Sequence, residues 1–253
     1  MKGETKMNLK SLITVAAVAT AGAALAVYES PVKLCQIKLE TTTTNTIIAL
    51  PLVNVGSTTV NPTNYVLTAG LTDGDILYAS YGKGKAGWRV ATGQWSGTPV
   101  IQGENQSNPS DTLPRGTGVW LKRQNPSAAD AIYLYGQIAT DAVTSVAAVN
   151  GFTMMGNPKT TSILINEITW TTYPTVGDEI EVLNDATAYG ATTYVWHAPS
   201  DSDTPCWCTE TLDTVNWTYT YTRADKTFQP GEGFWYNNTS SSVTPTINWG
   251  TGE

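Results

Sequence analysis

Short runs of apolar and β-branched residues, broken by turn residues, occupy most of this chain. Runs such as residues 47–52 and 132–135 are rich in Ile, Leu and Tyr and end at Pro, Gly or Asn. That pattern indicates β-strands, because such side chains fit a pleated, half-buried surface that proline and glycine interrupt. Only residues 161–170 could close one short helical turn. The pattern therefore predicts an all-β fold of the antiparallel sandwich or barrel type.

The landmarks of this pattern occur twice and in the same order. A Gly-Asp turn opens an apolar strand at Gly74 and again at Gly177, and a G-x-G turn leads to a hydrophobic residue and a tryptophan after Gly116 and Gly231. Each half then closes with an aromatic strand that ends in glycine, at residues 132–136 and 246–250. The repetition predicts two tandem copies of one β-unit, over residues 31–139 and 140–253, each about 110 residues and the size of one sandwich domain.

Two further features refine the predicted copies. The dipeptide Asn150-Gly151 lies between two strand-like runs and predicts a hairpin turn. The second copy is longer than the first, and the additional residues fall around 198–215. Function is best sought in that region, because it is where the two copies differ.

The first 26 residues have the pattern of a secretory signal peptide. Lys2, Lys6 and Lys10 precede a short apolar run, and Ala24 and Ala26 supply small residues at a cleavage site. The apolar run is shorter than the ~20 residues that a spanning helix requires. We therefore expect cleavage after residue 26, no membrane span afterwards, and a protein that is secreted, at the cell surface or in a periplasm.

Composition limits the class of partner. The formal net charge is −7, and charged residues make up 14% of the chain, compared with about 25% in typical soluble domains. An acidic chain with few, scattered basic residues is not suited to nucleic acid or to an anionic membrane. Abundant Thr, Asn and Ser on the polar faces favour an exported β-protein.

The three cysteines, Cys35, Cys206 and Cys208, suggest a disulfide if the chain is exported. Cys206 and Cys208 lie on one face of a strand, but too far along it for an easy bridge. We therefore expect Cys35 to pair with one of them. The remaining cysteine is then either a buried free thiol or the site of an intermolecular disulfide.

Catalytic and metal-binding patterns are weak in this sequence. The only histidine, His197, stands at a predicted strand end, and no G-x-S-x-G motif supplies a nucleophile. Carboxylates that could form a chance pair are Glu167, Asp178, Glu179, Glu181 and Asp185. His197 with Cys206 and Cys208 lacks a fourth zinc ligand, and the acidic pairs at residues 73–75 and 201–203 do not follow a calcium-loop spacing, although a structural calcium ion is compatible with them. We predict no enzyme activity, no cofactor and no catalytic metal.

Aromatic residues are the remaining candidates for binding. The chain has 9 Trp and 12 Tyr, and flat aromatic faces are what a carbohydrate-binding surface needs. Trp95, Trp196 and Trp207 lie in or near loops and are the candidate ligand-binding residues; Trp88 and Trp217 have similar settings. Trp120, Trp235 and Trp249 occupy repeated positions and are expected in the core.

The segment Pro230-Gly231-Glu232-Gly233-Phe234-Trp235, preceded by Phe152–Asn157, resembles a P-G-x-G-F-W pattern of secreted bacterial two-copy β-rich proteins of unknown function. The first copy departs from this pattern, with Arg115 and Val119 in place of Pro230 and Phe234. The resemblance implies an exported β-module and carries no catalytic residues.

Together these features predict a secreted, non-enzymatic cell-surface or extracellular-matrix protein that acts in structural assembly or adhesion. Edge strands could pair with another molecule, so self-association or a cell-surface component is the expected partner. The alternative is a carbohydrate-binding module or accessory protein that uses exposed tryptophans.

Overall fold

The computed structural model describes residues 34–40, 45–53, 66–67, 71–80, 85–91, 94–95, 100–102, 115–126, 131–139, 145–183 and 190–250. Within this part the protein is all-β, as predicted, and the residues from Lys33 onward belong to one compact unit. The predicted signal peptide and Asp185 lie outside the described residues.

The strands of the first half precede residue 140. They are β1 (Leu34–Glu40), β2 (Asn45–Ala49), β3 (Leu52–Val53), β4 (Val66–Leu67), β5 (Ile76–Ser80), β6 (Lys85–Ala91), β7 (Gln94–Trp95), β8 (Val100–Gln102), β9 (Gly118–Lys122) and β10 (Ala131–Ile138). Those of the second half are β11 (Ser145–Ala147), β12 (Gly151–Gly156), β13 (Ile163–Leu164), β14 (Thr169–Thr172), β15 (Glu179–Leu183), β16 (Ala191–His197), β17 (Cys206–Asp213), β18 (Thr218–Arg223), β19 (Thr227–Phe228), β20 (Gly233–Asn238) and β21 (Thr246–Asn248).

Each half contains one large antiparallel sheet and a smaller one, and the second half has a further two-stranded sheet of β13 and β19. The large sheets run β2-β9-β5-β6-β7, with β8 also on β6, and β12-β20-β15-β16-β17-β18. The smaller sheets place β10 between β1 and the short strands β3 and β4, and β21 between β11 and β14. Strands β2, β9, β5 and β6 of the first large sheet therefore stand in the same order as β12, β20, β15 and β16 of the second. The second sheet continues into the hairpin β17–β18.

The predicted Gly-Asp turns hold a buried carboxylate in each half. Gly74 and Gly177 have φ angles of 96° and 94°, which glycine adopts readily. The Asp75 carboxylate accepts hydrogen bonds from the main chain of Thr72 and of Gln124, and it forms an ion pair with Arg123 at 2.7 Å. Both side chains of this pair are fully buried.

Asp178 occupies the corresponding turn of the second half with a different partner. Its carboxylate accepts hydrogen bonds from the main chain of Thr175 and of Thr239, and from the hydroxyl group of Tyr236 at 2.8 Å. Burial, together with this bond to Asp178, raises the pKa of Tyr236 far above its usual value. Each carboxylate thus joins the start of one strand to the end of a neighbouring strand.

The two G-x-G turns lie where the halves meet, and each contacts the opposite half. Gly156 N–H donates to the carbonyl oxygen of Gly116, and Ala49 N–H donates to that of Gly231. Two isolated bridges, Ile48↔Glu232 and Thr117↔Met155, run alongside these bonds. The turns therefore join the halves through their main chains, as well as feeding strands β9 and β20.

Side chains complete this contact between halves. Trp120 and Trp235 pack with ring centroids 5.7 Å apart, beside buried Ile47 and Met154. Arg115 donates a hydrogen bond to the carbonyl oxygen of Gly250. Trp235 and Trp249 are buried, which confirms their predicted place in the core, and Trp120 is half-buried.

Two local predictions have different outcomes. The short helical turn expected within residues 161–170 is present as a 3₁₀ turn at Ile165–Glu167. The prediction of a hairpin at Asn150-Gly151 is wrong. Gly151 has a φ of 83°, but the strands on its two sides join different sheets, because β11 pairs with β21 whereas β12 pairs with β20.

Candidate functional site

Tryptophans from neighbouring strands gather at one end of the large sheet of the second half. Trp196 on β16 and Trp207 on β17 are directly opposite each other, with ring centroids 5.3 Å apart and planes at 68°. Trp170 packs against Trp207, and Tyr173 packs against Trp196. The structure therefore brings together two of the three predicted ligand-binding tryptophans.

These rings surround a cavity of about 460 Å³, which we call the aromatic cavity. Trp170 and Trp207 are buried, Trp196 is half-buried, and Tyr173 is 64% exposed. The volume lies within the ~300–1,000 Å³ range of sites that bind small molecules. Since the two tryptophans meet edge to face and one is buried, they form a pocket wall and not a flat exposed platform.

Polar groups are placed around the aromatic cavity, and one of them has no partner. The Asn166 side chain bonds to the main chain of Trp207 and of Ala224, which anchors the 3₁₀ turn to the sheet. The indole Nε1 of Trp207, a residue with no solvent exposure, has no hydrogen-bond partner among the described residues. A buried donor without an acceptor is costly, so this nitrogen is an unsatisfied polar group behind the wall of the aromatic cavity. Asp201 and Arg223, both exposed, line the cavity with opposite charges.

The hairpin β17–β18 extends from this cavity and ends in an exposed apolar tip. Val215 is 83% exposed and Trp217 is 75% exposed, with exposed Leu212 and Tyr219 behind them. Trp217 has a φ of +56°, the only positive value at a non-glycine residue in the described chain. This left-handed conformation favours glycine and is strained for a bulky side chain.

Hydrogen bonds nevertheless fix the hairpin tip. The Asp213 carboxylate accepts from the main chain of Val215 and of Asn216 and from the Asn216 amide, and Trp217 N–H donates to the Asp213 carbonyl oxygen. The bonds from Asn216 and Val215 hold the pKa of Asp213 below its usual value, so this side chain stays negative at neutral pH. The tip is therefore an ordered, acidic loop with an indole at its end.

Strand β18 is the last strand of its sheet, and its outer edge is partly covered. Tyr221 N–H donates to the Ser200 hydroxyl group, and Ser200 N–H donates to the Tyr221 carbonyl oxygen. Since outward main-chain groups alternate along a strand, those of Tyr219 also point outward. No described residue bonds to them, so the outer half of the hairpin keeps an available edge.

The third predicted ligand-binding residue, Trp95, lies apart from the aromatic cavity. It belongs to β7 in the first half and is packed, half-buried, against that half's core. The Trp88 side chain lies outside the described residues. Trp170 and Tyr173 were missed in the sequence, although Trp170-Thr171-Thr172-Tyr173 is an aromatic pair close to the 3₁₀ turn.

All three cysteines are free thiols, so the expected bridge from Cys35 is absent. Cys35 lies on β1 and packs against the core of the first half, whereas Cys206 and Cys208 lie on β17 of the second half. The Sγ atoms of Cys206 and Cys208 are 3.7 Å apart, closer than the spacing along a strand suggested. Burial, and then the contact with Cys206, raises the pKa of Cys208 to about 12.

We expect the thiol of Cys208 to be the slowest to react in the folded protein. At pH 8 a thiol with a pKa near 12 is ionised in roughly one molecule in ten thousand, and the thiolate is the reactive form. Mass spectrometry after timed iodoacetamide treatment should find Cys35 modified first and Cys208 last. In urea, without reductant, all three should react at similar rates. Fewer than three modified cysteines in urea would contradict the free-thiol state.

The remaining candidate catalytic and metal-binding residues make packing and hydrogen-bond contacts within the fold. The His197 ring is stacked on Tyr221 at 3.7 Å, and its Nδ1 lies 2.8 Å from the Ala198 carbonyl oxygen. Glu179 accepts a hydrogen bond from Asn237, while burial, with a smaller contribution from Glu179, raises the pKa of Glu181. Among the described residues, no group of three or more His, Cys, Asp or Glu side chains is placed to hold a metal ion.

Two broader findings complete the description of the site. Within the described part of the chain, no helix has the length and apolar character needed to cross a membrane. Comparisons with protein-family models, with curated proteins and with solved structures found no match to this chain.

Proposed function

We propose that this protein is a secreted, non-enzymatic structural protein of the cell surface or extracellular matrix, which acts by self-assembly. The observation that carries the proposal is the outer half of the β17–β18 hairpin. It combines an available strand edge at Tyr219 with exposed Leu212, Val215 and Trp217. Native proteins usually shorten, charge or cover such edges, because they pair readily with other chains.

The hydrogen bonds between Ser200 and the main chain of Tyr221 restrict where another strand can pair with β18. Ser200 occupies the outward main-chain groups of Tyr221, so an incoming strand finds only the distal part of β18. At the opposite edge of each large sheet, strands β2 and β12 lie beside the bridges between the halves. In the second half, β18 is therefore the edge that remains for pairing with another chain.

We also propose that the chain arose by tandem duplication of one β-unit. Three features support this: the strand order of the large sheets, the buried Asp75 and Asp178 in equivalent turns, and the reciprocal contacts of Gly116 and Gly231. The duplicated units supply a rigid body, and the hairpin added to the second unit supplies the assembly element. Export is supported by the signal-like pattern of residues 1–26.

Carbohydrate binding is the second candidate, and the aromatic cavity favours it. Aromatic rings stack on sugar C–H groups, and half-buried Trp196 and exposed Tyr173 line the cavity. In this candidate Trp196 and Tyr173 contact the sugar directly. Trp95 would not take part, because it lies in the other half.

Replacing Tyr219 by proline is expected to weaken self-association while the hairpin stays folded. Proline removes an outward N–H and is tolerated on an edge strand, so pairing with another chain is blocked without loss of a bond inside the hairpin. Sedimentation velocity over a concentration series should show the wild type forming larger species and Tyr219→Pro remaining smaller.

The matched control is Tyr219→Thr, which removes the ring but keeps the N–H. If both variants assemble like the wild type, the edge of β18 is not used. A wild-type protein that stays monomeric at every concentration, and is not retained on cells, would refute the assembly function itself.

A further inference from the structure

We propose that Trp217, at the tip of the β17–β18 hairpin, inserts into the aromatic cavity of a second copy of this chain. The inference rests on the proposed self-assembly and identifies the contact that drives it. The partner is another copy of this protein, and the two contacting surfaces are the two ends of the same hairpin.

Strain at Trp217 is the first observation that points to a binding role. Its φ of +56° belongs to a region where glycine is preferred, yet the position holds a large indole that is 75% exposed. Residues held in such conformations cluster at sites that contact ligands. Since Asp213 orders the loop through bonds to Val215 and Asn216, little further ordering is required when the tip binds.

The aromatic cavity matches the tip in size and chemistry. A volume of about 460 Å³, walled by Trp170, Trp196 and Tyr173, accommodates one indole with part of its loop. Aromatic rings prefer edge-to-face and offset packing, which the angled walls of the cavity allow.

Charge also favours the hairpin tip as the occupant. Asp213 is negative, and Arg223 at the cavity is exposed and makes no ion pair among the described residues. Asp201 lies at the same cavity, so the tip must approach with Asp213 on the Arg223 side. This requirement fixes the orientation of the incoming hairpin.

The position of the two ends determines the type of assembly. Cys206 lies at the cavity and Asp213 at the tip, and a strand of this length covers about 23 Å at ~3.3 Å per residue. A knob and a hole at different places on one molecule make a head-to-tail contact, which grows into an open filament unless the rotation closes a ring. Each added copy contributes one tip and one cavity.

Two variants test the Trp217 tip and the aromatic cavity separately. Trp217→Gly removes the indole and relieves the strained backbone, so its melting temperature should rise by about 2–4 °C while self-association weakens about 30-fold or more. Thr204→Trp places a bulky ring at an exposed position lining the cavity and should block entry. Asp203→Trp is the control, because Asp203 is an exposed neighbour that does not line the cavity.

Mixing the two variants gives the decisive measurement. Trp217→Gly keeps an open cavity and Thr204→Trp keeps a tip, so sedimentation should show each alone as a monomer and the mixture as a 1:1 complex that grows no further. Asp203→Trp should assemble like the wild type.

Assembly of Trp217→Gly at the wild-type concentration would overturn the inference and leave the assembly function standing. The absence of a complex in the mixture would overturn it as well. A third result would also overturn the inference. In it, a mono- or disaccharide at millimolar concentration quenches the tryptophan fluorescence of Trp217→Gly but does not inhibit wild-type assembly. The aromatic cavity would then be a sugar-binding site. Only a monomeric wild type refutes both proposals together.

Discussion

Gly233→Ala is expected to lower the free energy of unfolding by about 3 kcal/mol or more, a large part of the ~5–15 kcal/mol that holds a typical domain folded. An added Cβ would lie 2.5 Å from Ile47 Cγ2 and 2.8 Å from the Ile47 carbonyl carbon, in the opposite half of the protein. Backbone atoms in two paired strands cannot move aside as a flexible side chain can. Relief therefore requires the halves to separate, and urea denaturation measures the cost.

Gly118→Ala repeats this test from the first half. There the new Cβ would lie 2.8 Å from Met155 N and 2.9 Å from the Met154 carbonyl carbon, so a similar loss is expected. The control is Gly151→Ala, whose Cβ meets no atom within 4 Å and suffers only from the φ of +83°, at a cost of about 1–2 kcal/mol. If all three variants lose equal stability, close contact between the halves does not contribute to folding.

These glycines show which features of the fold could be predicted from the sequence and which could not. The G-x-G pattern correctly predicted a turn that feeds a strand, because proline, glycine and aromatic residues have strong local preferences. It did not predict that Gly116 and Gly231 bond to the opposite half, since such contacts depend on how two sheets meet. Local preference is encoded in neighbouring residues, whereas the packing of distant segments is not.

The residues of the aromatic cavity were likewise predictable from the sequence only in part. Trp196 and Trp207 were recognisable as candidates, and the region around residues 198–215 was recognisable as the place where the halves differ. Trp207 is buried because strand pairing fixes which face of the sheet its side chain occupies, whereas Trp217 is exposed because it lies in the turn between β17 and β18. Trp170 and Tyr173 reach the cavity from another sheet, so no pattern in the sequence joins them to it.

Arg123 was missed for a related reason. A charged residue that follows β9 looks like a solvent-exposed end of a strand, yet its guanidinium group is fully buried against Asp75, 48 residues earlier in the chain. The Gly-Asp turn was predicted as an ordinary turn, and its carboxylate had no visible partner. The buried pair is therefore a product of the tertiary structure, and its energetic weight can be measured.

Asp75→Asn is expected to cost about 3–5 kcal/mol, because it leaves the buried Arg123 guanidinium without its carboxylate. Asp178→Asn is the matched control. It changes the equivalent turn of the second half, where the partner is the neutral Tyr236 hydroxyl group, and should cost about 1–3 kcal/mol. Urea denaturation of both variants at pH 7 measures the difference.

The double variant Asp75→Asn/Arg123→Met tests the cause of that loss. Removing both charges and filling the space with an apolar side chain should recover most of the stability that Asp75→Asn loses, since the main penalty is the unpaired buried charge. Equal costs for Asp75→Asn and Asp178→Asn, with no recovery in the double variant, would show that each turn depends on its main-chain hydrogen bonds alone. The equivalent turns of the two halves would then be stabilised in the same way, and the charge of Arg123 would contribute nothing to the stability of the fold.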